Sequence, residues 1–182
     1  MSESARDQRL EAVESRLALR ELLSRYAYAV DNRDIDALAE LFAEDASFGT
    51  RNGSFAVHGR AAIAAEFRAQ LGNMGPSFHY IHDHILDLDP SDPDRAKGVA
   101  TAHAEVRRQD GLWQTAIRYH DNYVRQHGRW RFQARELAFL YYVRAPGDSW
   151  GDPDRRVIDR RGAVPADWPE QLPSWKAFHG GA

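Results

Sequence analysis

The sequence predicts an α+β fold, and three observations carry that prediction. Apolar residues recur at helical spacing up to Leu71, four long stretches after Ser77 alternate in polarity, and short glycine-containing connections separate those stretches. Helices come first and an antiparallel meander follows.

From Leu17 to Val30, Leu19, Leu22, Leu23, Tyr26, Ala27 and Val30 recur at steps of three and four, which makes one face of an amphipathic helix. Asp31-Asn32-Arg33-Asp34 breaks the pattern. Asp34 can cap a second helix whose apolar stripe is Ile35, Leu38, Leu41 and Phe42. After the turn signal Asn52-Gly53, a third helix over Arg60 to Leu71 turns Ile63, Phe67 and Leu71 inward. Ser77 to Leu88, Arg95 to Arg108, Leu112 to Arg125 and Trp130 to Val143 then read as strands rich in β-branched and aromatic residues. The turns between them, Pro90 to Asp94, Gln109-Asp110-Gly111 and Gln126 to Arg129, favour hairpins. Residues 1–145 therefore form one domain. From Pro146 onward Pro, Gly, Asp and Trp dominate without periodicity, so residues 146–182 read as an irregular arm. Its Trp150, Trp168, Trp175 and Phe178 are too apolar to leave in water, so the arm packs on the domain or on a neighbouring subunit.

Composition narrows the function classes. The 182 residues, 43% of them hydrophobic, suffice for one ordinary core, and a net charge of -3 offers no field to attract nucleic acid. There is no cysteine, which removes disulfides, thiolate metal sites and a cysteine nucleophile. The N-terminal segment MSESARDQRLEAVESR has no apolar signal core, and no stretch approaches the roughly 20 apolar residues of a membrane span. The expectation is a cytoplasmic protein without membrane partners. No glycine-rich phosphate loop, nucleotide fingerprint or Gly-x-Ser-x-Gly elbow is present.

Four segments, Tyr26-Ala-Tyr-Ala-Val-Asp31, Leu41-Phe42-Ala43-Glu44-Asp45, Gly59-Arg60-Ala61-Ala62-Ile63 and Phe78-His79-Tyr80, stand in an order and spacing that resemble the SnoaL-like family of the NTF2-like (nuclear transport factor 2) superfamily, near its dehydratase and dehydrochlorinase members. The resemblance covers about Leu17 to Tyr142. It implies a cone made of a curved, mostly antiparallel sheet wrapped by three N-terminal helices, with an apolar pocket and no cofactor. It also implies a catalytic dyad at Asp31 and His79, with Tyr26 and Arg135 assisting and Tyr119 lining the pocket.

The chemistry of these side chains fits such roles. Histidine titrates near neutrality, so an imidazole whose far nitrogen is fixed by a carboxylate can remove a proton from an acidic carbon. The alternative is that Asp31 only ends a helix and His79 is a satisfied core residue. Tyr26 could donate to a leaving hydroxyl or be a core aromatic; five helical residues turn through about 140°, so it shares a pocket with Asp31 only if the helix bends or frays. Arg135 could stabilise negative charge or form an ordinary ion pair. Strand alternation puts His79, Ile81 and Asp83 on one face and His82 with His84 on the other, so Asp83 becomes a candidate substrate contact. The same alternation leaves His82 and His84 with only half a metal site, and no metal is expected. Trp113, among the aromatics of the last strands, is a further candidate to bind a flat hydrophobic substrate.

The expected activity is a cofactor-independent lyase on an aromatic, polyketide-like or steroid-like molecule. An isomerase, an aldol cyclase or a ligand-binding module of the same fold are the alternatives. Exposed apolar residues on the sheet need cover, and the resemblance implies that self-association supplies it in a homo-oligomer, as a trimer first and a dimer next.

Overall fold

A computed structural model of the protein describes residues 3–145, 156–159, 162–165 and 173–180. Trp150 and Trp168 of the C-terminal arm lie outside the described residues.

The first helix, α1 (Glu3–Asp31), is longer than its apolar stripe predicts. Leu19, Leu22, Leu23, Tyr26 and Val30 are buried, whereas Leu10, Val13 and Leu17 on the added turns stay exposed. Side-chain bonds hold that outer half: Arg16 donates to Leu86 O at 3.0 Å, and Arg125 to Glu11 at 2.6 Å. The short α2 (Ile35–Glu40) is capped as expected by Asp34, whose carboxylate accepts from Ala37 N at 3.0 Å. Phe42 does not continue it. Instead Phe42 opens a strand, β1 (Phe42–Thr50), which the helical spacing of Leu38, Leu41 and Phe42 concealed, and β2 (Ala56–His58) pairs with it. Gly59, at φ 87°, turns the chain into α3 (Arg60–Gly72), which buries Ile63, Phe67 and Leu71.

Four long strands follow within a residue of their predicted bounds: β3 (Ser77–Leu88), β4 (Arg95–Arg108), β5 (Gly111–Gln126) and β6 (Arg129–Arg144). His127 and Gly128 both take positive φ, 52° and 72°, the backbone that a tight hairpin between right-twisted strands requires. The curved, open sheet has the order β2-β1-β6-β5-β4-β3, with β1 parallel to β6 and every other pair antiparallel. This is the α+β arrangement expected, with α1, α2 and α3 packed against the concave face and a single core between them.

The arm is not wholly irregular. Its β7 (Arg156–Asp159) and β8 (Gly162–Pro165) pair antiparallel, and α4 (Pro173–Phe178) is a short helix. Pro173 occupies the first helical position, where its missing N–H costs nothing, so the proline density that argues against helix in the sequence starts one here. Trp175 is buried and Phe178 packs against the domain core. Among the described residues no helix is long and apolar enough to cross a membrane.

Candidate active site

The end of α1 sets the position of Asp31. Asp34 N donates to Ala29 O at 2.9 Å and Arg33 N to Val30 O at 3.2 Å, the two bonds of a Schellman termination, with Arg33 in the left-handed conformation at φ 59°. Asp31 is thus the last regular residue of a helix that packs along β3. Its carboxylate is fully engaged. Oδ1 accepts from the His79 ring at Nδ1 (2.6 Å) and from Ser77 Oγ (3.0 Å), and Oδ2 accepts from His79 N (2.8 Å). Both side chains of the pair are 13% exposed. An ionised carboxylate can only accept, so Nδ1 carries the proton and Nε2 keeps its lone pair.

A second polar cluster lies deeper on the concave face. Arg135 grips Asp121 with two N–H groups, Nε to Oδ1 at 2.9 Å and Nη2 to Oδ2 at 2.8 Å, and both side chains are completely buried. Tyr123 donates to Asp121 Oδ2 at 2.8 Å and stands 3.1 Å from His84 Nε2. The rings of Tyr26, Tyr119 and Phe132 surround the guanidinium at 4.2, 4.2 and 4.0 Å. Arg135 Nη1 has no hydrogen-bond partner among the described residues. Burial pushes the Tyr26 hydroxyl up to about 12 against the opposing charge of Arg135, so it is a proton donor at neutral pH. Burial likewise raises Tyr119 and Tyr123 and lowers His84 to about 4, the last opposed by the Asp121 charge.

The sequence-derived candidates therefore divide. Asp31 and His79 meet directly, and Tyr26, Arg135 and Tyr119 form the deeper cluster. The helix neither bends nor frays before Asp31, so Tyr26 faces the core and is linked to Asp31 only through its charge. Asp83 joins neither group. An extra residue in β3 between Ile81 and His84 breaks the strand alternation, leaving Asp83 exposed with its N–H on Thr101 Oγ1. The same bulge corrects the pairing of His82 with His84: His82 bonds His103 at 2.8 Å, whereas His84 turns inward to Tyr123. Trp113 is half-buried, stacked on Tyr142 at 5.3 Å, with Phe139 edge-on to Tyr142 at 6.0 Å. Strand register sets Tyr142 across the sheet from His79, through Ala104 and Thr115. A groove of about 750 Å3 runs elsewhere, along the outer side of α1 between Leu22, Leu41 and Trp130, and contains neither dyad residue.

Sequence reasoning missed Ser77, Arg33, Asp121, Tyr123 and His84. Asp121 carried a usable signal, because it alternates in phase with Tyr119 and Tyr123 and an inward carboxylate needs a cation.

The helix-wrapped open sheet, with polar residues on its concave face, defines an NTF2-like cone. Residues 11–136 match the SnoaL-like domain, and the chain belongs to that family. Among solved structures, a hexachlorocyclohexane dehydrochlorinase (LinA-type3) from Novosphingobium barchaimii is 20% identical with a TM-score of 0.68, covering 76% of this chain and 94% of its own. A Novosphingobium aromaticivorans protein provisionally named scytalone dehydratase gives 20% and 0.68, covering 75% and 91%. An NTF2-like protein from the same species gives 26% and 0.61, covering 76% and 90%. At these identities the first two likenesses are of fold alone.

Proposed function

We propose that the protein is a cofactor-independent lyase in which His79 Nε2 removes a proton from carbon and a β-leaving group departs. The observation that carries this is the 2.6 Å bond from His79 Nδ1 to Asp31, whose carboxylate also accepts from Ser77 Oγ and the His79 backbone. Asp31 holds the ring in one tautomer and stabilises the imidazolium that forms. The electron pair of the broken C–H bond becomes the new π bond, and the leaving group departs with its own pair. Hydroxide departing in this way takes up a proton and leaves as water, and expulsion of formaldehyde from an aromatic diol uses the same base. Tyr26 and Arg135 lie in the separate buried cluster, so the step is assigned to His79 and Asp31 alone.

The substrate class is read from the stacked Trp113 and Tyr142 with Phe139, an aromatic wall on the sheet face that carries His79, with Ala104 of β4 and Thr115 of β5 between. Such a wall suits a flat hydrophobic molecule of aromatic, polyketide or steroid type. Exposed Tyr80, Ile85, Leu140, Tyr141 and Val143 favour a homo-oligomer, a trimer before a dimer. The test is product mass after incubation with a panel of β-hydroxy aromatic compounds. Loss of water or formaldehyde supports the lyase. Turnover at constant mass makes it an isomerase or cyclase, and binding without turnover makes it a ligand-binding module.

A further inference from the structure

The helix that carries Asp31 ends on a residue the backbone does not favour. At φ 59° a glycine is unstrained, whereas an L side chain is disfavoured. Arg33 nevertheless occupies the position and is 1% exposed. Its guanidinium donates to Val30 O at 2.8 Å, to Gly75 O at 2.5 Å and to Ser77 Oγ at 2.9 Å, stapling the end of α1 to the start of β3. Because Ser77 Oγ accepts from Arg33, its single proton is directed to Asp31 Oδ1.

The C-terminal helix closes on the same guanidinium. Trp175 lies 4.5 Å beneath Arg33, Ser174 Oγ donates to Asn32 O at 3.0 Å, and the His179 ring packs on Trp175 at 4.8 Å. A continuous line thus runs from α4 through Trp175, Arg33 and Ser77 to Asp31 and His79. We propose that Arg33 is a positioning residue for the Asp31–His79 pair and that Trp175, from the C-terminal helix, holds it in that role. The inference rests on the reading of His79 as the base. Arg33 fixes the Ser77 hydroxyl and hence the plane of the carboxylate that orients the His79 ring. Asp34, Asp36 and Arg68 share a cavity of about 230 Å3 with Arg33, Ser174 and Phe178, and His179, whose pKa burial and the Arg33 charge lower, is a further titratable group at this corner.

Imidazole NMR of the full chain, with His79 assigned by loss of its signals in His79→Gln, gives the test. Arg33→Gly suits the backbone and removes the staple. It should mix the two His79 tautomers and move its titration. Trp175→Leu, which keeps an apolar side chain but loses the ring face, should act the same way by less. In the Arg33→Gly background Trp175→Leu should add nothing. With substrate, both variants should lower kcat while KM holds, and Arg33→Lys should restore part of it. An unchanged His79 titration in Arg33→Gly, or a Trp175→Leu shift that persists without Arg33, overturns the proposal. Normal turnover by His79→Gln would instead remove the base assignment and leave the titration result standing.

Discussion

Replacing Asp121 by Asn tests whether the buried cluster is organised by its ion pair. The substitution keeps the shape of the side chain but removes the charge opposite a guanidinium that is 0% exposed. Three hydrogen bonds end on the carboxylate, two from Arg135 and one from Tyr123. An amide keeps a single acceptor oxygen, so one or two of these bonds go, each worth about 1.5–3 kcal/mol, and an amide N–H then faces a donor. That sum agrees with the roughly 3–5 kcal/mol seen when one member of a buried pair is removed. The three aromatic rings around Arg135 offset part of it, which sets the expectation near 3 kcal/mol, against a total stability of about 5–15 kcal/mol. For a chain of this size the melting temperature should fall by roughly 6–12 °C. Urea unfolding followed by tryptophan fluorescence reads the loss directly. Arg135→Met combined with Asp121→Leu should be less destabilising than Asp121→Asn, because no charge is then stranded. A loss below about 1 kcal/mol, or a double variant worse than the single one, would refute the reasoning.

His84 makes stability depend on pH. Burial lowers its pKa from 6.5 to about 4, so as pH falls through that interval the unfolded chain takes up a proton that the folded chain refuses. Stability is unaffected by this group above pH 6.5 and declines between 6.5 and about 4, and the melting temperature of His84→Gln should fall less than that of the wild type over the same range. Light scattering should report a trimer, and removal of residues 146–182 should leave the trimer intact while cutting activity, because Trp175 is lost from Arg33. A monomeric wild type contradicts the assembly proposal; normal activity in the truncated chain contradicts the role given to the arm.

The long elements were legible because each repeats one period over many residues. The four strands from Ser77 to Arg144 alternate over most of their length, and the buried stripe of α1 keeps helical spacing from Leu19 to Val30. β1 was not legible, since Leu38, Leu41 and Phe42 keep helical spacing across the boundary and Glu44-Asp45 interrupts the strand pattern. Single-residue bulges account for much of what was missed in the site. One between Ile81 and His84 sends Asp83 outward and His84 inward. Another at Asn122/Tyr123 shifts the β5–β6 register so that Asp121 faces Arg135 and not Ala134. Neither bulge has a glycine or proline to mark it. Asp31 and His79 came from the family resemblance, whereas Arg33, in a run of polar residues after a helix, looked like an ordinary break and revealed its burial only in three dimensions.

The proton-abstraction account stands or falls on one comparison: the single-turnover rates of wild type, His79→Ala and Asp31→Asn on the first compound the panel identifies, each variant checked for a native circular dichroism spectrum. Loss of the base should lower the rate on the order of 10²–10⁴-fold. The Asn variant should lose a comparable factor, because its amide permits the wrong imidazole tautomer. Turnover near the wild-type rate in either variant would contradict the account.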